Sequence, residues 1–269
     1  PTRDQYPTPL GLYETSNTQA YKLGTRVALN DRVFRYCKVM DATTAIGANK
    51  LVQMAVPVGT AGDTGKHVTV SDAAFAPIKG DKSITVTLGA VLAQENEYQD
   101  GYIKLESATL GTGQIFKMKG HPYVAASGSL TARLYDPVTT STSGTEVYSL
   151  IHNPYSGVIL SLAAAISAPI AGVATAAFPV CATASVATPG YLQTDTTTWT
   201  QPRFGWLQTW GVASVLFDLA TNVNAVAGCG VAVSQAVAGA CNTQIHDAIE
   251  QLVGVSMEAM ATDAIYLSV

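Results

Sequence analysis

The sequence predicts an all-β protein of the antiparallel sandwich or barrel kind, and three observations lead there. Short segments rich in Val, Thr, Ile and Tyr recur about every ten residues, separated by Gly, Asp, Asn and Pro, as in stacked or closed antiparallel sheets. Helical periodicity is scarce. Charged residues make up only 13% of the 269, against roughly 25% in an ordinary soluble domain, while 48% are hydrophobic.

The first two dozen residues carry Pro1, Pro7, Pro9, Gly11, Asn17 and Gly24, too much punctuation for a helix and too little alternation for a strand. They read as an extended arm over 1–24, with Tyr6, Leu10, Leu12 and Tyr13 as apolar anchors. The anchors fit an arm folded back on its own domain or one reaching a neighbour. Beyond the arm, the sequence divides into β-rich regions over 25–135 and 136–269, packed together or forming one continuous domain.

Strands are expected over Arg32 to Val39, Lys50 to Val56, His67 to Val70, Ser83 to Leu88, Gly101 to Glu106 and Gln114 to Gly120. Asp100-Gly101, before the alternating Tyr-Ile-Lys-Leu-Glu, predicts a hairpin-type turn with Gly relieving positive φ. Thr243 to Val253, with Ile245, Ile249 and Leu252 in helical register, predicts one short helix. Val147 to Thr194 contains no charged side chain, and Val158 to Val186 is apolar enough to raise a membrane span. Pro154, Pro169, Pro179 and Pro189 would break such a helix repeatedly. Buried strands near Val158 to Leu162 and Ala171 to Ala177 are expected instead, and no membrane partner.

Charge is unevenly placed. Fourteen of the fifteen Lys and Arg lie in residues 1–133 beside eleven acids, and only Arg203 accompanies the eight acids that follow, so +3 precedes −7. The basic residues form no run and the chain is acidic overall, so no nucleic-acid footprint is present. The low charge predicts a surface largely covered by other subunits. The asymmetry fits either complementary subunit contacts or a solvated face. Pro1 is expected to follow a removed initiator Met, and Thr-Arg-Asp-Gln-Tyr lacks an apolar signal region, so cytoplasmic synthesis is expected. Cys37, Cys181, Cys229 and Cys241 have no C-x-x-C spacing and read as reduced, packed thiols.

No catalytic, cofactor-binding or metal-binding constellation is found. Gly59 to His67 (GTAGDTGKH) suggests a phosphate loop, but Thr60 and His67 occupy two of the positions that the motif requires to be Gly and Ser or Thr. Gly111-Thr-Gly113 lacks a third glycine, since Phe116 stands there, and no G-x-S-x-G is present. His67, His121, His152 and His246 are scattered without i+4 partners, and those at strand ends suit hydrogen bonds to turns. Glu95, Glu97 and Asp100 lack the spacing of a calcium loop and are expected to solvate a turn. The chain is therefore expected not to be an enzyme and to need no cofactor.

All three tryptophans fall between Trp199 and Trp210. In a regular strand, Phe204, Trp206 and Trp210 would share one face with Gln208 between them. Such a row fills a core or an obligate interface, or, if exposed, stacks sugars or bases. Gly205 and Gly211 would thin the opposite face.

Taken in order, several segments resemble head proteins of tailed bacteriophages of the capsid decoration or cement kind. They are Tyr21-Lys-Leu-Gly24 leading into Arg32-Val-Phe-Arg-Tyr36, Asn96-Glu-Tyr-Gln-Asp-Gly-Tyr102, Gly113-Gln-Ile-Phe-Lys-Met-Lys-Gly-His121 and Leu134-Tyr-Asp-Pro137. His152-Asn-Pro-Tyr155, Phe204-Gly-Trp-Leu-Gln208 and Val253-Gly-Val-Ser-Met-Glu-Ala259 complete the series. The resemblance implies a β-rich virion protein on the capsid surface, commonly a homotrimer, whose partners are itself and the major capsid protein. It carries over no functional residue. A host-attachment or carbohydrate-binding virion protein is the alternative, from a different class. The interface expected under the first reading is Tyr6, Leu10, Leu12 and Tyr13 of the arm with Phe204, Trp206 and Trp210.

Overall fold

The computed structural model describes residues 11–55, 67–69, 76–105, 113–142, 147–163, 168–218, 226–243, 251–257 and 266–268. Among them are twenty strands and no helix, so the chain is all-β. They fall into two compact units.

Unit 1 is assembled from Pro1–Val56, Gly157–Cys181 and Pro202–Val269. Its main sheet runs β1 (Arg26–Leu29), β2 (Arg32–Val39), β10 (Ser156–Leu160), β3 (Leu51–Gln53), β11 (Ile170–Ala174) and β15 (Arg203–Trp210). Since β15 also pairs with β2, five of these strands close on themselves. The centre of β15, Phe204 to Gln208, is buried on both faces, which is why it reads as a near-continuous apolar run. Over one face packs an aromatic cluster of Phe34, Tyr36, Phe204 and Trp206 with Leu12 and Leu23. The Tyr36 and Trp206 rings meet edge to face, centroids 5.1 Å apart, and Tyr21 touches both.

A second cluster of unit 1 joins Leu51 and Val173 of the main sheet to Val215, Phe217, Val231 and Val233. The last four belong to or border two small sheets. One pairs β16 (Ser214–Leu216) with β20 (Tyr266–Ser268), and the other runs β18 (Cys241–Thr243), β17 (Gly230–Val233), β19 (Leu252–Val255).

Unit 2 comprises Pro57–Ser156 and Ala182–Gln201. Six strands close a barrel in the order β4 (His67–Thr69), β5 (Ser83–Thr87), β8 (Ser129–Leu134), β7 (Ile115–Gly120), β6 (Tyr102–Leu105) and β9 (Val147–Ile151). Every second residue of β6 and β8 is buried, so Ile103, Leu105, Leu130, Ala132 and Leu134 fill the core with Phe116, Met118 and Tyr148. A small sheet of β12 (Thr183–Ala184), β14 (Trp199–Thr200) and β13 (Leu192–Gln193) belongs to the same unit.

Four expectations are corrected. The boundary at 135 falls between β8 and β9 of one barrel, because the strands of each unit pair across large sequence separations. The helix over Thr243 to Val253 is not formed at its ends. Thr243 pairs with Val231, and Leu252–Val255 pair with β17, the β-branched Val253 and Val255 suiting a strand; residues 244–250 lie outside the described ones. The turn before β6 joins no hairpin, since β6 pairs with β7 and β9, which follow it. Its positive φ belongs to Asp100, at 59°, rather than to Gly101.

The arm also differs from a free extension. Ser16 exchanges backbone hydrogen bonds of 2.9 and 2.7 Å with Phe204, Ala20 N–H donates to the Tyr36 hydroxyl, and the Thr175 hydroxyl donates to Leu12 C=O. Residues 11–24 are thus fastened to their own unit, while Tyr6 and Leu10 lie outside the described residues. In the long apolar stretch, Val158 and Ala171 to Ala174 are on strands, and among the described residues no helix is long and apolar enough to cross a membrane.

All four cysteines are free, with Cys37, Cys181 and Cys241 buried and Cys229 partly exposed. Burial pushes the Cys181 thiol up to about 11 and that of Cys241 up to about 12, and raises Cys37 further still. At about pH 8, where an ordinary thiol is partly ionised, a maleimide reagent is expected to label Cys229 in the native protein and the other three only on unfolding. Equal labelling of all four in the native state would contradict this packing.

Unit 2 contains a buried histidine whose protonation state is fixed by its partners. The Nε2 of His121 accepts the Tyr98 backbone N–H at 3.1 Å, and its Nδ1–H donates to Pro122 C=O at 2.8 Å. Only the neutral ring satisfies both. His152 pairs with Glu97 at 3.0 Å, both groups being partly exposed, and elsewhere hydrogen bonding moves the acidity of two aspartates. For Asp41 and Asp195 the shift is downward. Burial opposes it at Asp41, where bonds from Thr43 and Thr44 prevail, and the Thr197 backbone N–H leads it at Asp195. Their contributions are therefore lost only below the ordinary carboxylate range. The unfolding midpoint is expected to fall as pH is lowered below the ordinary carboxylate value of about 4, and the fall to shrink in Asp41→Asn, which removes the downward-shifted carboxyl. An unchanged fall in that variant would remove Asp41 as a source.

Candidate docking surface

The candidate site grows from an irregularity at the end of β15. Trp206 pairs with Tyr36 and Gln208 with Phe34, but the next pair is Trp210 with Val33. Two residues advance on β15 against one on β2, which is a β-bulge. Val33 is out of phase with Phe34 and Tyr36, so Trp210 takes the phase opposite to Trp206. The expectation of a common face for Phe204, Trp206 and Trp210 is corrected accordingly. Phe204 and Trp206 are buried, whereas Trp210 is 72% exposed.

Two residues hold this arrangement. The Gln208 side-chain NH2 donates to Trp210 C=O at 3.2 Å and to Val212 C=O at 2.8 Å, satisfying carbonyls released by the bulge. Gly211 has φ +84°, and a Cβ there would stand 2.6 Å from Asp31 C=O, so only glycine lets the chain pass this close. In a strand of strict period two, Gln208 is only a spacer between Trp206 and Trp210. The signal it offered was an amide inside an aromatic row, followed by Trp-Gly.

Trp210 borders an open groove of about 540 Å³. Buried Leu51, Val173 and Val215 line it together with exposed Val212, Leu252, Val255 and Met257. Among the described residues none that lines it is charged, and Gln208, Thr209 and Gln251 are polar. Gln251 Oε1 accepts the Ile170 N–H at 3.2 Å, tying the segment before β19 to β11. An apolar groove with exposed Trp and Met suits binding of an apolar partner surface.

The other expected interface residues are placed differently. Leu12, Phe204 and Trp206 are interior to unit 1 and offer no surface to another subunit. Tyr13 is exposed, its hydroxyl accepting a bond from Arg32 at 3.1 Å. Glu95, Glu97 and Asp100 bind the Gln193 N–H, His152 and the Tyr135 hydroxyl respectively, and among the described residues no cluster of ligating side chains suited to a metal occurs. The loop 59–66 lies outside the described residues. No protein family, curated protein or solved structure matches the chain.

Proposed function

We propose that this chain is a non-catalytic virion structural protein that associates with itself, as a trimer, and binds the outer surface of a phage capsid to stabilise or decorate it. The observation that carries the reading is the groove beside Trp210, lined by apolar side chains of a kind that monomeric proteins rarely leave uncovered. The end-to-end order of segments resembling phage head proteins and the low charge content support it. Tryptophan is enriched among the residues that dominate interface energetics, because it removes a large apolar area from water on contact.

The test is to add purified protein to preassembled shells that lack it. The expected result is saturable cosedimentation and a higher disruption temperature of the shells, both weakened at least tenfold in concentration dependence by Trp210→Ala. Absence of binding to any shell form would defeat the reading. Exposure of Trp210 also favours a second reading, in which its ring stacks on a sugar of a host receptor. Under that reading, Trp210→Ala abolishes glycan binding and leaves shell binding unchanged.

A further inference from the structure

We propose that the groove beside Trp210 seats residues 1–10 from a neighbouring copy of the chain; this rests on the self-association proposed above and names its contact.

Chemical fit is the first argument. The groove lining has no charge among the described residues, and of the first ten residues the six from Gln5 to Leu10, Gln-Tyr-Pro-Thr-Pro-Leu, have none either. Pro7 and Pro9 restrict the segment before binding, so seating it costs less conformational entropy, and proline rings pack well on an aromatic face.

Hydrogen bonding is the second. Among the described residues β19 is the edge strand of its sheet, paired with β17 on one side, and Gln251 to Val255 line the groove. In an extended segment, the backbone N–H groups of Tyr6, Thr8 and Leu10 point to one edge and positions 7 and 9 to the other. The N–H groups that proline removes are therefore all on one edge, and the opposite edge remains complete for pairing with β19.

Direction decides for a neighbour over the same chain. Ser16 pairs antiparallel with Phe204, so residues 14 to 16 run alongside β15. The turn over Gly11 to Glu14, closed by the Glu14 N–H to Gly11 C=O bond at 3.3 Å, then reverses the path. The N-terminal side of Gly11 therefore faces the Phe204 end of β15, away from Trp210. Ten residues reach at most about 33 to 36 Å when extended, enough to span to an adjoining subunit.

The experiment uses the full chain, a variant lacking residues 1–10, which keeps Leu12 and the turn, and Trp210→Ala, whose replaced side chain is exposed. Matching unfolding midpoints establish that all three are folded. Sedimentation velocity is expected to show self-association at least tenfold weaker in both variants, and a mixture of the two to regain one contact, since one supplies the groove and the other the segment. A fluorescent peptide of residues 1–10 is expected to bind the deletion variant saturably and the deletion variant carrying Trp210→Ala at least tenfold less. The proposal is overturned if either variant associates like the full chain, or if peptide binding ignores Trp210→Ala. It is equally overturned if the full chain is monomeric yet excludes the peptide, because its own segment then fills the groove. Shell binding is a separate readout, so loss of the capsid reading and loss of this contact are distinguishable.

Discussion

Replacing Trp206 by alanine is expected to cost about 3 to 5 kcal/mol, the range for emptying a buried aromatic site. Trp206 is fully buried, with Tyr36 and Tyr21 rings at 5.1 and 5.4 Å. It sits in a five-strand closure whose neighbours are held by backbone pairing, so the surrounding structure cannot collapse far into the space. Its indole N–H finds no hydrogen-bond partner among the described residues, so the ring contributes through packing alone. Trp206→Phe is accordingly expected to cost markedly less than Trp206→Ala. Urea unfolding curves of the two variants check this, and equal losses would mean that ring packing is not what the site supplies.

The second large effect is expected at Gly101. A Cβ there would meet the Ile151 carbonyl oxygen, the Asn153 N at 2.9 Å and the Tyr98 carbonyl oxygen at 3.0 Å. All three are backbone atoms, so no side chain can rotate aside. Gly101 also ties β6 to its neighbours, accepting the Met118 N–H at 2.9 Å. Gly101→Ala is expected to exceed the roughly 3 kcal/mol upper end of ordinary overpacking. Gly80→Ala is the control, since φ is +103° there but nothing lies within 4 Å of the added atom. That variant should lose only the roughly 1 to 2 kcal/mol of an unfavourable backbone conformation. A Gly101→Ala protein as stable as wild type would refute the close approach of β6 and β9.

Where side-chain pattern alone decides local structure, the sequence was readable. Arg32 to Val39 is expected as a strand and is β2 to the residue, because its β-branched and aromatic Val33, Phe34, Tyr36 and Val39 suit a pleated sheet. The expected strands near 51, 83, 102, 115, 158 and 171 appear with ends shifted by a few residues. Pairing between distant segments was not readable. Nothing local announces that β3 lies between β10 and β11, and so the two discontinuous units escaped a division at 135. The common face expected for Trp206 and Trp210 fails at one residue. A strict period of two puts Trp206 and Trp210 together, and the bulge that separates them depends on Gln208 reaching carbonyls two and four residues ahead and on Gly211 passing Asp31.

Counting this protein on purified virus particles tests the central proposal most directly. Quantitative mass spectrometry of particles, with antibody labelling to locate the chain, is expected to find many copies on the shell in a fixed ratio to the major capsid protein. A few copies confined to the tail, or none on the particle, would contradict the account.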